Sequence, residues 1–197
     1  MTQAIALPRS AGLGRRTVLL AAGVLVAQLA LHPAPAQAAT QRELTSEGNA
    51  ALQALYADSP KAAELAKRAK AVLVFPNVVK AGVIVGAQGG QGVLLVNGKP
   101  DGFFRISAAS VGYQLGAQSF SYALFLVTDQ AVSHLKTSNG WALGTGPSLV
   151  VVDEGFAKSM NTTTLRKDIY AMSFGQKGLM AGAGLEGSKI SKISPDP

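Results

Sequence analysis

No cysteine occurs in the 197 residues. That excludes disulfide bridges, thiolate metal sites, thiol nucleophiles and a lipid-modified N-terminal cysteine. Histidine is almost as scarce: beyond residue 38 only His134 remains. A single histidine without cysteine is a poor start for a zinc site, so no metal is expected. Aromatic residues make up 6% of the chain and charged residues 15%. Dense basic clustering interleaved with aromatics is missing, which argues against nucleic acid as a partner. No Gly-x-Ser-x-Gly elbow is present, and no Walker Gly-Lys-Ser/Thr. Gly90-Gln91-Gly92 leads into the branched run Val93–Val96 and not into a helix, so the dinucleotide fingerprint is not met either. Ser133 adjoins His134, but sequence neighbours on a helix do not face each other. Asp153 and Glu154 on a strand would point to opposite faces. The expectation is a protein without catalytic residues or cofactor.

What is abundant begins with one long apolar run. Thr17–Leu31 carries no charge, follows Arg9, Arg15 and Arg16, and is ended by Pro33 and Pro35. Ala36-Gln37-Ala38 then gives an A-x-A cleavage site, so residues 1–38 read as a secretory signal peptide. The run, about 15 residues, is short for a spanning helix, which needs roughly 20. Arg15-Arg16 permits a twin-arginine route as well as the general one. The expected location is periplasmic or secreted, with peripheral membrane association allowed. Without residues 1–38 the chain has 15 cationic residues against 11 acidic, a net +4. That mild excess can favour an anionic surface.

Residues 39–197 are long enough for one domain. Arg42–Asp58 predicts a helix with the apolar stripe Leu44, Gly48, Ala51, Leu52, Leu55 and Tyr56. Ser59 and Pro60 suit the cap and first position of a second helix, Lys61–Lys70. Lys67, Arg68 and Lys70 crowd its last turn. Two readings of that cluster stay open: a solvated face complementing the helix dipole, or an attachment point for anionic lipid headgroups.

From Ala71 the texture becomes β. Ala71–Phe75 reads as a short strand and Pro76-Asn77 as a turn. Val83–Val85 and Val93–Val96 flank the glycine block Gly86–Gly92, as a hairpin or as one long strand with a bulge. Asn97–Gly102 predicts a second turn, Phe103–Val111 a strand and Phe120–Thr128 a central strand. Asp129–Lys136 reads as a short helix capped by Asp129. Trp141 is a core or rim anchor, or an interfacial side chain. Lys189–Pro197 reads as a short polar tail. Of 19 glycines after residue 38, 18 fall between Gly82 and Gly187. The predicted fold class is therefore α+β: N-terminal helices packed on a strongly curved, glycine-rich, mainly antiparallel sheet, barrel-like if its edges meet.

The order of four blocks resembles the SYLF domain family. They are AKAVLVFPNVVKAGVIVGAQGGQGVLL, then GYQLGAQ at Gly112–Gln118, LGTGPS at Leu143–Ser148 and GLMAGAGLEGS at Gly178–Ser188. The resemblance covers Leu44 to Ile193. It implies one SYLF-like domain, helical over 42–70 and mainly β over 71–193. It also implies association with membrane lipids, notably phosphoinositides; some eukaryotic members bind and bundle actin. The lipid-contacting helix of eukaryotic members precedes the β region. Its counterpart here is Arg42–Lys70, which turns attention to Lys67, Arg68 and Lys70, then to Lys80 and Lys177. The expected partner is an anionic phospholipid surface, with an envelope protein partner or a small apolar ligand as alternatives.

Overall fold

The computed structural model describes residues 39–82, 85–111, 116–152, 167–178 and 187–197. The signal-peptide reading of residues 1–38 falls outside them, as do Val83, Ile84, Asp153 and Glu154.

Helix α1 spans Gln41–Asp58 and begins on a capping box. The Thr40 hydroxyl accepts from the Glu43 N–H, and the Glu43 carboxylate accepts from the Thr40 N–H at 2.8 Å, so two orphan donors are satisfied. The C-terminal segment holds the same helix end: the Gln41 N–H donates to the Asp196 carbonyl at 2.8 Å and its side-chain amide to that of Pro195 at 3.0 Å. Helix α2 spans Pro60–Arg68, with Ser59 as cap and Pro60 in the first turn, as predicted. It ends at Arg68, two residues earlier than expected, with Ala69 as its C-cap. Lys70 is therefore outside the helix, and its N–H donates to the Leu126 carbonyl at 2.8 Å, the first step into the sheet.

Among the described residues eight strands follow: β1 Ala71–Gly82, β2 Val85–Val96, β3 Lys99–Val111, β4 Gly116–Leu126, β5 Trp141–Ala142, β6 Leu149–Val151, β7 Ile169–Gly178 and β8 Lys189–Ile193. They form one sheet in the order β5-β8-β3-β2-β1-β4-β7-β6. Every pairing is antiparallel except β6 with β7. The sheet curls into a half barrel with β5 and β6 as its edges. Those edges are two and three residues long, which limits unpaired backbone. Helix α3, Asp129–Thr137, is capped by Thr128 and not by Asp129: the Thr128 hydroxyl accepts from the Ala131 N–H.

Two sequence expectations are corrected, and an open alternative between them is resolved. Pro76-Asn77 does not turn the chain; β1 runs through it with a bulge between Val74 and Asn77. Of the two readings of the glycine block the single long strand holds: Gly86–Gly92 is the body of β2, paired to β3 throughout and to β1 except at Gly92, where the β1 bulge falls. Glycine serves there for close approach: a Cβ at Gly92 would lie 2.3 Å from the Val74 carbonyl oxygen and 2.6 Å from the Phe75 ring. The polar tail is not a tail, since Lys189–Ile193 is β8, paired to Phe103–Ser107. The second turn is also shorter than expected. Asn97 and Gly98, at φ 51° and 75°, make it alone, and β3 starts at Lys99.

The sheet buries a separate cluster on each face. One, under α1 and α2, joins Leu52, Leu55, Ala62 and Leu65 to Val74, Val93, Ala123, Phe125 and Tyr170. Gly48 lets α1 lie against the strands, because a Cβ there would meet Val93 Cγ1 at 2.6 Å. The other cluster, on the α3 face, joins Leu73, Phe75, Val78, Ile106, Phe120, Tyr122 and Leu124 to Ala131, Leu135 and Trp141. Trp141 is 2% exposed, its indole N–H donates to the Thr145 carbonyl at 2.7 Å, and His134 packs edge-on against it. Trp141 is thus a core anchor, and the interfacial reading does not hold.

Candidate functional site

The predicted site residues separate into three places. Lys67, Arg68 and Lys70 gather where α2 passes into β1, and all three are exposed. Lys80 lies toward the far end of β1, half-buried, on the α3 face beside Gln88 and Gln118. Lys177 is exposed on β7 and pairs with Ser119, which places it on the opposite face from Lys80. Ten residues of nearly extended chain separate Lys70 from Lys80, roughly 30 Å. One continuous basic surface spanning all five is therefore not formed.

At the first place the structure adds what the sequence did not show, a groove. It has a volume of about 410 Å³ and lies between α1, the end of α2 and the first residues of β1. Leu52 and Tyr56 of α1, Ala66 and Ala69 around the end of α2, and Val72 and Leu95 of the sheet supply apolar walls. Lys67 and Lys70 stand on its rim, with Asn49, Gln53 and Asn97 as neutral polar groups. Such a size and lining suit part of an amphipathic ligand. Tyr56 is half-buried, and desolvation raises its hydroxyl pKa above the usual phenol value, so it stays a neutral donor. Lys70 lies 3.6 Å from Asp129, with both side chains largely in solvent. Such a surface pair is worth about 0–1 kcal/mol, so an incoming anion can replace it. Tyr56 carried a sequence signal, as the last member of the α1 stripe. Leu95 and Asn97 carried none, because only tertiary packing brings the β2–β3 turn to α2.

A second, larger groove of about 880 Å³ lies between the start of α1 and the β2–β3 hairpin. Arg42 and Asp101 both line it, so their charges oppose each other. Asp101 is further engaged by an ion pair with Lys136. Of these two grooves, the smaller combines an apolar floor with lining cations and no lining Asp or Glu.

Among the described residues no group of three acidic, histidine or cysteine side chains is placed to hold a metal, and no helix is long and apolar enough to cross a membrane. Among the described residues the best-connected carboxylate is that of Asp168. It accepts from the Ser148 hydroxyl at 2.7 Å, from the Ser148 N–H at 2.9 Å and from the Thr128 hydroxyl at 2.9 Å. These bonds, those of Ser148 foremost, hold its carboxyl below the usual range. No histidine shares this network, and its members join the start of α3 to β6 and β7. It is a structural tie that sequence reading missed.

The fold and groove define a class: an α+β domain whose helices flank a curled sheet and whose candidate site is a surface groove. A family model, Ysc84, described as Las17-binding protein actin regulator, matches residues 107–194. Over residues 107–194 the chain is thus similar to this family, the SYLF family, in agreement with the order of its glycine blocks. The matched segment begins within β3 and ends after β8, so α1, α2 and the groove precede it. The comparison with curated proteins gives no match.

Proposed function

We propose that the protein binds anionic membrane lipid without catalysis, through the groove at the end of α2. The observation that carries this reading is the pairing of an apolar floor (Leu52, Tyr56, Val72, Leu95) with Lys67 and Lys70 on one rim. The ammonium groups attract an acidic headgroup, each basic residue near such a surface being worth about 1 kcal/mol. The apolar floor then accepts part of an acyl chain or glycerol backbone, adding stabilisation by burial. The similarity of residues 107–194 to the SYLF family supports lipid binding in general terms. The signal-peptide reading of residues 1–38 supports action outside the cytoplasmic membrane.

The test is flotation with phosphatidylcholine vesicles, with and without phosphatidylglycerol, at low and high salt. Binding is expected only to the acidic vesicles and should weaken as salt screens the contact. Lys67→Glu combined with Lys70→Glu should weaken it more than about tenfold, two charge reversals exceeding 1.4 kcal/mol. Equal binding to neutral vesicles, or a double variant that floats like the parent, would refute the assignment.

A further inference from the structure

On the α3 face the sheet changes character toward the far ends of β1, β2 and β4. The row Ile106–Gly90–Val78–Phe120 is the last that contributes to the apolar cluster. The next row across β2, β1 and β4 is Gln88–Lys80–Gln118. The row after it is Gly86–Gly82–Gly116. A polar row is thus bounded by closed core on one side and by three residues without side chains on the other. A Cβ built at Gly116 would meet nothing within 4 Å, so the β4 end of the glycine row has room.

Gln88 is 7% exposed, and its amide nitrogen has no hydrogen-bond partner. A buried donor left unpaired is costly, and native structures rarely keep one without a reason. Lys80 faces it across the β1–β2 ladder. The residues continuing these rows on β3 and β7 are Ala108, Ser110 and Gly178, so no carboxylate there competes for the ammonium.

We propose that Lys80 and Gln88 form a binding site for a small oxyanion, a phosphate or carboxylate group. Lys80 balances its charge, and one of its oxygens accepts from the unpaired Gln88 amide. Gly116, at the β4 end of the glycine row, leaves space for the group to enter. The site lies on the other face of the sheet from the α2 groove and at the other end of β1, so it does not depend on the lipid-binding reading.

The experiment is a thermal-shift and calorimetric titration of the protein with inorganic phosphate, against chloride at matched ionic strength. Acetate serves as the carboxylate probe. A saturable rise in Tm with phosphate or acetate, absent with chloride, is expected. Lys80→Met should weaken binding at least tenfold while circular dichroism stays unchanged, and Lys80→Arg should retain it. Gln88→Leu should weaken binding and also raise Tm without ligand, because it removes the unpaired donor. Lys67→Glu with Lys70→Glu should leave the response intact. Phosphate displaced by phosphatidic acid vesicles identifies a headgroup as the source; phosphate retained beside them identifies the free ion. No saturable response to either anion, or a Lys80→Met protein that binds like the parent, overturns the proposal.

Discussion

Val74 and Val79 lie on the same strand and the same face of the sheet, yet Val74 is wholly buried and Val79 is 48% exposed. Residues five apart on a regular strand point to opposite faces. The bulge between Val74 and Asn77 restores the phase. A second irregularity, at Gly175 of β7 with φ 62°, falls at the same level. Together they divide the sheet into a half near the helices and a half beyond them. In the near half both faces are covered, and β1 and β4 read as continuous apolar runs. In the far half α1 and α2 do not reach the strands. Ala109, Ala87, Ala81 and Ala117 align there across four strands, all exposed, while Lys80 and two glutamines take the other face. The near half carries the stability of the fold, and the far half is free to carry chemistry.

The largest effect that would test this division is expected at Phe125, fully buried under α1 and α2 in β4. Phe125→Ala should cost about 3–5 kcal/mol in equilibrium denaturation, from lost transfer free energy plus the cavity left behind. A loss under about 1 kcal/mol would mean that the helices are loosely seated and that the near half is not the stable one.

The same division explains how much could be read beforehand. Helices α1 and α2 were legible because Leu44, Leu52 and Leu55 recur at helical spacing and Ser59-Pro60 marks a start. The central place of β4 was legible because Phe120–Leu126 is apolar on both faces. Gly86–Gly92 left hairpin and long strand open, because a run of glycines also suits a turn and nothing in the sequence shows that Phe75 and the Val74 carbonyl crowd against Gly92. Pro76 did mislead: its carbonyl is satisfied by the Ser121 hydroxyl at 2.7 Å, a bond between residues 45 apart. Of the site, the cations were visible and the groove was not, since its walls come from three separate segments.

A smaller effect is expected at Asp168, which ties the α3 start to the β6–β7 edge. Its carboxyl sits below its unfolded value because Ser148 and Thr128 donate to the charged form. A depressed folded pKa means that the stabilisation is present above the unfolded carboxylate pKa and is lost as pH falls through the folded one. Asp168→Asn should cost about 1.5 kcal/mol at neutral pH, since one amide oxygen cannot replace two acceptors. It should also flatten the acid limb of a pH–stability curve. A variant whose acid limb overlays that of the parent would show that other carboxylates govern acid unfolding.

The smallest effect is the most informative about the far half. Val79 is half exposed, and its row neighbours are Gly89 on β2 and Ser119 on β4. Val79→Ser removes branched apolar surface that is already half in water. It should change stability by no more than about 0.5 kcal/mol, the usual range for exposed sites. Phe125→Ala on the adjacent strand and the same face supplies the scale. A loss above about 2 kcal/mol at Val79 would require something to cover this face in solution, because a side chain half in water has too little to lose on its own.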